Sequence, residues 1–224
     1  MRRRIAGLTV GLSLGLLAMG ALRTAATQPG AFAPLAGLVT PGYIVMVVVF
    51  TLLLVRAGLP LDRVGFGARL GGRHILLAIV AIATLRVASL ALEPIWEALL
   101  GGPRNLERFA DVEGSAPSLA VLLAASWTIA AFGEEIAYRI VLMRGISFAL
   151  GDTRTATALA LVLQALMFGL IHAYQGPTGI ASSATSGLVF GAVTLAGRWS
   201  IWPAAMAHGV NNTIGILALY HGQG

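Results

Sequence analysis

Seven stretches of the chain are apolar over close to membrane length: 5–22, 35–55, 74–92, 118–150, 155–173, 179–196 and 201–220. A helix that crosses the hydrocarbon core needs ~20 apolar residues, so each run predicts a spanning helix. The fourth run is longer than one span needs and reads alternatively as two elements meeting near Arg144-Gly145, which would make eight spans. Joints rich in Gly and Pro, such as Gly58-Leu59-Pro60 and Gly101-Gly102-Pro103, separate the runs, as expected where helices stop. The fold class expected is all-α: a polytopic transmembrane helix bundle of seven to eight spanning helices, forming one membrane domain over 1–224.

Composition agrees with that pattern. The chain is 57% hydrophobic and 11% charged, with a mean hydropathy of +0.85, too little polar surface for a soluble domain of this length. The net charge of +6 does not point to nucleic acid, because the arginines cap the apolar runs instead of interleaving with aromatics on a polar domain. A positive-inside bias accounts for them. Arg2, Arg3, Arg4, Arg56, Arg63, Arg69 and Arg73 are expected in the cytoplasm, followed by Arg144, Arg154 and Arg198, while the acidic segment 93–113 is expected outside. The expected location is the cell membrane, multi-pass, with a cytoplasmic N-terminus. Met1-Arg2-Arg3-Arg4 and the run after it resemble a secretory signal, but ~18 apolar residues exceed the usual 7 to 15, and Arg23 stands where a small-residue cleavage site belongs. An uncleaved first helix is expected. The chain has no cysteine, which removes disulfides, thiolate ligands and a cysteine nucleophile.

Against this background a few polar side chains stand out. Glu134 and Glu135 lie together inside the fourth run, and the same half of the chain places Arg139, Gln164, His172, His208, Asn211 and Asn212 within its spans. An ionisable group inside the membrane is costly unless it faces a wet cavity or a partner, so it marks a functional site by default. Glu135 and Arg139 are four residues apart and share a helix face, which suits an ion pair. Glu134 points ~100° away, free for another task. His208 and Asn212 have the same four-residue spacing. Counted from the turn near residue 152, Glu134 and His172 lie ~26 and ~29 Å along antiparallel helices at ~1.5 Å per residue, so their side chains are expected at similar depth. Gln164 is read as a support for His172 or as a packing residue. His74 and His221 are read as interfacial, and Tyr174 with Trp96, Trp127, Trp199 and Trp202 as interfacial or packing aromatics.

Elimination narrows the chemistry. Neither His172 nor His208 belongs to an H-E-x-x-H motif, no Asp lies within a span, and Ser182, Ser183 and Ser186 sit in a small-residue run suited to close helix packing. Glu and His remain. The residues then resemble a known family. Glu134-Glu135-Ile136-Ala137-Tyr138-Arg139 is similar to an E-E-x-x-x-R motif, Phe168 to His172 to F-x-x-x-H, and His208-Gly209-Val210-Asn211-Asn212 to H-x-x-x-N. These are the motifs of the CAAX prenyl protease and bacteriocin-processing family. The resemblance covers roughly 118–220, leaving 1–100 as accessory helices that share only hydrophobicity. Two departures are Tyr138, where Phe is common, and Ile140, where a glycine would follow the motif arginine.

The resemblance implies a helix bundle around a catalytic cavity and a glutamate-dependent intramembrane endopeptidase. It makes Glu134 the base that activates water, His172 a partner for that water's proton, His208 and Asn212 the oxyanion donors, and Glu135 with Arg139 the support of the catalytic helix. No cofactor is expected. The alternative is a zinc site with Glu134, His172 and His208 as ligands. A transporter or an immunity factor using the same polar cavity is the non-enzymatic alternative. The partners expected are a peptide or membrane-protein substrate, such as a prenylated or small precursor peptide, and the lipid bilayer, with no nucleic acid.

Overall fold

The computed structural model describes residues 1–28, 30–61, 65 and 69–223; Asp62 and Arg63 therefore lie outside the described residues. Seven helical rods follow one another: α1 (Arg2–Ala26), α2 (Ala36–Arg56, entered through a 3₁₀ turn at Ala33–Leu35), α3 (Gly72–Leu100), α4 (Ala116–Ala149), α5 (Arg154–Leu170), α6 (Gly176–Ala196) and α7 (Trp202–Tyr220). Each coincides with one of the seven apolar runs. By length and apolarity alone, five qualify as membrane spans: α1, α2 with its entry turn, α3, α4, and α6 with the turn Ala173–Gln175 before it. Helix α5 is apolar but shorter, and α7 carries His208, Asn211 and Asn212. Among the described residues there is no strand, and backbone pairing outside the helices includes Gly65 N–H to Trp199 O at 2.8 Å.

Of the two readings of the fourth run, the single element holds: α4 is continuous from Ala116 to Ala149, which leaves seven rods among the described residues. Its winding does change, from α over Ala116–Ala125 to π over Ser126–Glu134 and Ile136–Met143, then back to α over Arg144–Ala149. π-winding is rare and concentrates at functional sites, and here it spans Glu134 and Arg139. Helix α3, in turn, continues past Glu93-Pro94 to Leu100, so the outer loop starts at Gly101. Glu93 is tolerated inside the helix because Ser89 donates to its carboxylate, Arg104 reaches it at 3.3 Å and Ser182 at 3.5 Å.

Turn chemistry sets the helix ends around α4. Ser115 caps it by accepting from Ser118 N–H, and Thr153 caps α5 by accepting from Ala156 N–H at 3.1 Å. Between them, Arg144 forms a forked ion pair with Asp152, one arm at 3.0 Å. These bonds from Arg144 hold the Asp152 carboxyl below its ordinary range.

The apolar side chains form two main cores. One gathers Ile5, Leu12 and Leu16 of α1, Leu54 of α2, Tyr138 and Leu142 of α4, and Phe168. The other joins Ala81 and Leu85 of α3 to Phe190 of α6 and Ala204 and Ala207 of α7. Outward faces are apolar too, with Leu38, Val45 and Leu52 on α2 and Leu76, Ile79, Val87 and Leu90 on α3 exposed. That suits contact with hydrocarbon and would be a liability in water.

Helices α5 and α6 approach closely through glycine. A Cβ on Gly187 would stand 3.0 Å from Ala165 Cα, and the Gly187 carbonyl accepts from Gln164 Nε2 at 2.9 Å. Gln164 thus serves helix packing, not His172. Gly187→Leu should destabilise the bundle by about 1–3 kcal/mol through overpacking, whereas Gly215→Leu, with open space around it, should not; thermal unfolding in detergent compares the two.

Candidate active site

The two adjacent glutamates have different surroundings. Glu135 is fully buried, with Oε2 3.1 Å from Arg139 Nε on its own helix and Oε1 accepting from His208 Nδ1 at 2.8 Å across to α7. The ion pair expected from the four-residue spacing is present, and His208 is joined to it. Arg139 is also fully buried, and its terminal nitrogens have no hydrogen-bond partner. Its guanidinium carbon lies instead 4.4 Å from the Phe168 ring centre, 5.3 Å from Phe190 and 5.8 Å from Tyr138. Such faces attract a desolvated cation. Phe168 belongs to the first core and Phe190 to the second, so Arg139 sits where the two meet.

Glu134 forms no ion pair or hydrogen bond with the described residues, and it lines a cavity. From α1 the cavity is lined by Leu16, Met19, Gly20 and Arg23, and from α2 by Val39, Thr40 and Tyr43; Ile129 and Ile171 complete it. The helices that sequence alone leaves as accessory therefore build most of the wall opposite Glu134. About 30 Å³ is open to water-sized spheres, room for roughly two waters. Helix α1 reaches this place because Gly20 meets Ile171, where an added Cβ would lie 2.8 Å from the Ile171 Cα.

His172 follows Ile171 at the end of α5. Its Nδ1 is 2.7 Å from the Phe168 carbonyl oxygen; because that oxygen only accepts, Nδ1 carries the proton, and a neutral ring then presents Nε2 as an acceptor. The Phe168 ring stands against both histidines, 4.8 Å from His172 and 6.0 Å from His208, and His208 stacks on Phe190 at 4.7 Å. Asn212 is half-buried one turn beyond His208. Trp127 of α4 is wedged against Gly209 and donates to Thr213 at 3.1 Å, which locks the α4–α7 contact beside His208. Among the described residues, no group of three or more His, Asp or Glu side chains is arranged to hold a metal ion.

Several contributors had no separate signal in the sequence. Phe190 looks like any core residue, and Tyr43 comes from a run whose inner and outer faces are equally apolar. Phe168 alone was marked, as the first residue of its motif.

Residues 116–214, which contain all three motifs, match the family model described as Type II CAAX prenyl endopeptidase Rce1-like. No curated protein and no solved structure matches the chain. The match agrees with the resemblance read from the motifs and, with five membrane-length helices, makes this a multi-pass membrane protein with a protease-type domain.

Proposed function

We propose that the chain is an intramembrane endopeptidase in which Glu134 activates water for attack on a peptide carbonyl. The observation that carries the reading is the contrast between the two glutamates. Glu135 is closed off by Arg139 and His208, whereas Glu134 is unpaired and opens into a cavity of water size. A carboxylate so placed can draw a proton from water as the oxygen adds to the carbonyl carbon. His172, held by Phe168 O with Nε2 free to accept, shares that proton and returns it to the leaving nitrogen as the C–N bond breaks. One water is consumed, and an acid and an amine are released.

His208 has a specific electrostatic requirement. With Nδ1–H directed at Glu135, it can donate to an oxyanion through Nε2 only as the imidazolium, with the Glu135 carboxylate as its counter-ion. The Asn212 amide is the second donor. A preorganised donor of this kind contributes ~3 to 4 kcal/mol to the transition state. Peptide cleavage by purified protein with Glu134 replaced is the direct test.

The proposed topology has the N-terminus in the cytoplasm. Seven antiparallel rods put Arg2, Arg56, Arg73, Arg144, Arg154 and Arg198 at one end, the end the positive-inside rule assigns to the cytoplasm. Arg23 and the mouth of the Glu134 cavity lie at the other. The absence of cysteine allows a clean test. In intact cells a membrane-impermeant thiol reagent should label Thr27→Cys and spare Gly71→Cys, both being exposed positions; the reverse pattern would invert the topology.

A further inference from the structure

We infer that the outer face of α3 around Arg86 is a docking surface for a transmembrane helix of another protein, one that carries a carboxylate in the middle of its span. The inference stands apart from the catalytic reading and uses none of its residues.

Arg86 is the one Arg, Lys, Asp or Glu inside the first three apolar runs, 5–22, 35–55 and 74–92. It is the central residue of α3 (Gly72–Leu100), with 14 residues on each side, so each helix end is ~21 Å away at ~1.5 Å per residue. The hydrocarbon core is ~30 Å thick, which starts a residue at mid-helix ~15 Å from either interface. Long basic side chains escape hydrocarbon by snorkelling when they begin near a helix end; Arg86 begins far from both. The residue is exposed and forms no ion pair, hydrogen bond or ring contact with the described residues. The next acid along its own helix, Glu93, is seven residues on, ~10 Å up the axis, and is engaged by Ser89, Arg104 and Ser182. Helix side chains lean toward the N-terminus, so Arg86 leans away from it. An intramembrane charge without a partner in its own bundle is costly and marks a functional site by default.

The surrounding face fits a helix. Ala78, Ala81 and Leu85 turn inward to the second core. Ile79, Ala83, Arg86 and Leu90 follow one another at steps of four, three and four residues, which puts them on one face, and all four are exposed. Ala83, one turn before Arg86, is small enough for another helix to approach closely. Apolar neighbours alone suit lipid as well as protein, but the guanidinium does not. Its planar fork matches a carboxylate through two parallel hydrogen bonds, and in hydrocarbon one carboxylate neutralises it. A second copy of this chain does not supply that group. Copies share one orientation in the membrane, so a two-fold pair through this face sets Arg86 against Arg86.

The test uses the full chain in phosphatidylcholine nanodiscs and a labelled spanning helix of Leu and Ala with Glu at its centre, compared with the same helix carrying Gln. Energy transfer from a donor on the C-terminus of the chain should show the Glu helix bound about tenfold more tightly, the size of one hydrogen bond to a charged group. Arg86→Leu should bring the ratio close to one and leave the melting temperature at that of the wild type, because Arg86 has no partner in the bundle. Arg86→Leu with Val45→Arg moves the charge to the exposed face of α2 and should not restore the preference. The chain has no cysteine, so Ala83→Cys should crosslink to a Cys placed one turn from the probe's Glu, whereas Val45→Cys should not. Equal binding of the Glu and Gln helices, or full restoration by Val45→Arg, overturns the inference. So does a lower melting temperature in Arg86→Leu, which would assign Arg86 to the fold of the bundle itself. Crosslinking of Ala83→Cys to a second copy in place of the probe would make the face self-associating, and loss of the Glu preference on adding phosphatidylglycerol would give the guanidinium to lipid headgroups; either result also overturns it.

Discussion

Glu134→Gln should lower peptide cleavage by about a thousandfold, within the 10²–10⁴ range for loss of a positioned general base, while insertion and thermal stability stay near those of the wild type. Glutamine keeps the shape of the side chain and its capacity to hydrogen-bond water, but it cannot take the proton. Stability should change little because Glu134 contributes no ion pair to the fold. His172→Ala should fall to a similar level. If the two act on one water, the double variant should be no worse than either single one, the non-additivity expected of groups that work as a unit. Cleavage by the wild type should persist in excess chelator, and its loss with recovery on added zinc would favour the metal alternative. Normal turnover by purified Glu134→Gln would falsify the assignment and leave the cavity to transport or to binding.

The positions of the helices were legible because the bilayer demands long apolar runs, and every run 5–22 through 201–220 became a rod. Which side of each rod faces inward was not. Lipid and protein core accept the same side chains, so Leu16 on the cavity wall and Leu14 on the outer surface look alike in sequence, although the structure separates them. The site was legible where it used groups that hydrocarbon rejects: Glu134, Glu135, Arg139, His172 and His208. What they touch was harder to see. Simple helical spacing explains the Glu135–Arg139 pair but not the bond from His208 to Glu135, because nothing in one helix reports the rotation of another. The π-winding of α4 was likewise hidden, since its residues are ordinary helix formers. Arg23 was visible only as an argument against cleavage of a signal peptide, and its place at the cavity depends on the tertiary approach of Gly20 to Ile171.

The largest effect on folding should come from Glu135→Leu, about 3–5 kcal/mol of destabilisation. Arg139 is fully buried, and its charge is met by one carboxylate and three aromatic faces. Removing the carboxylate leaves an uncompensated cation in the interior, the costly half of a broken buried pair. Replacing both partners tests this cause against simple loss of packing. Glu135→Leu with Arg139→Met should recover most of the stability, since an apolar pair of similar volume often matches a buried ion pair. Activity should not recover with it. In the double variant His208 keeps its stacking on Phe190 but has no carboxylate at Nδ1, so its tautomer and orientation are no longer held. A bundle that melts like the wild type yet turns over at least tenfold more slowly, compared by thermal unfolding and peptide cleavage on the same preparation, would separate the two duties of Glu135: neutralising Arg139 for folding, and orienting His208 for chemistry. If the double variant remained as unstable as the single one, the cost would lie in lost shape and not in the stranded charge.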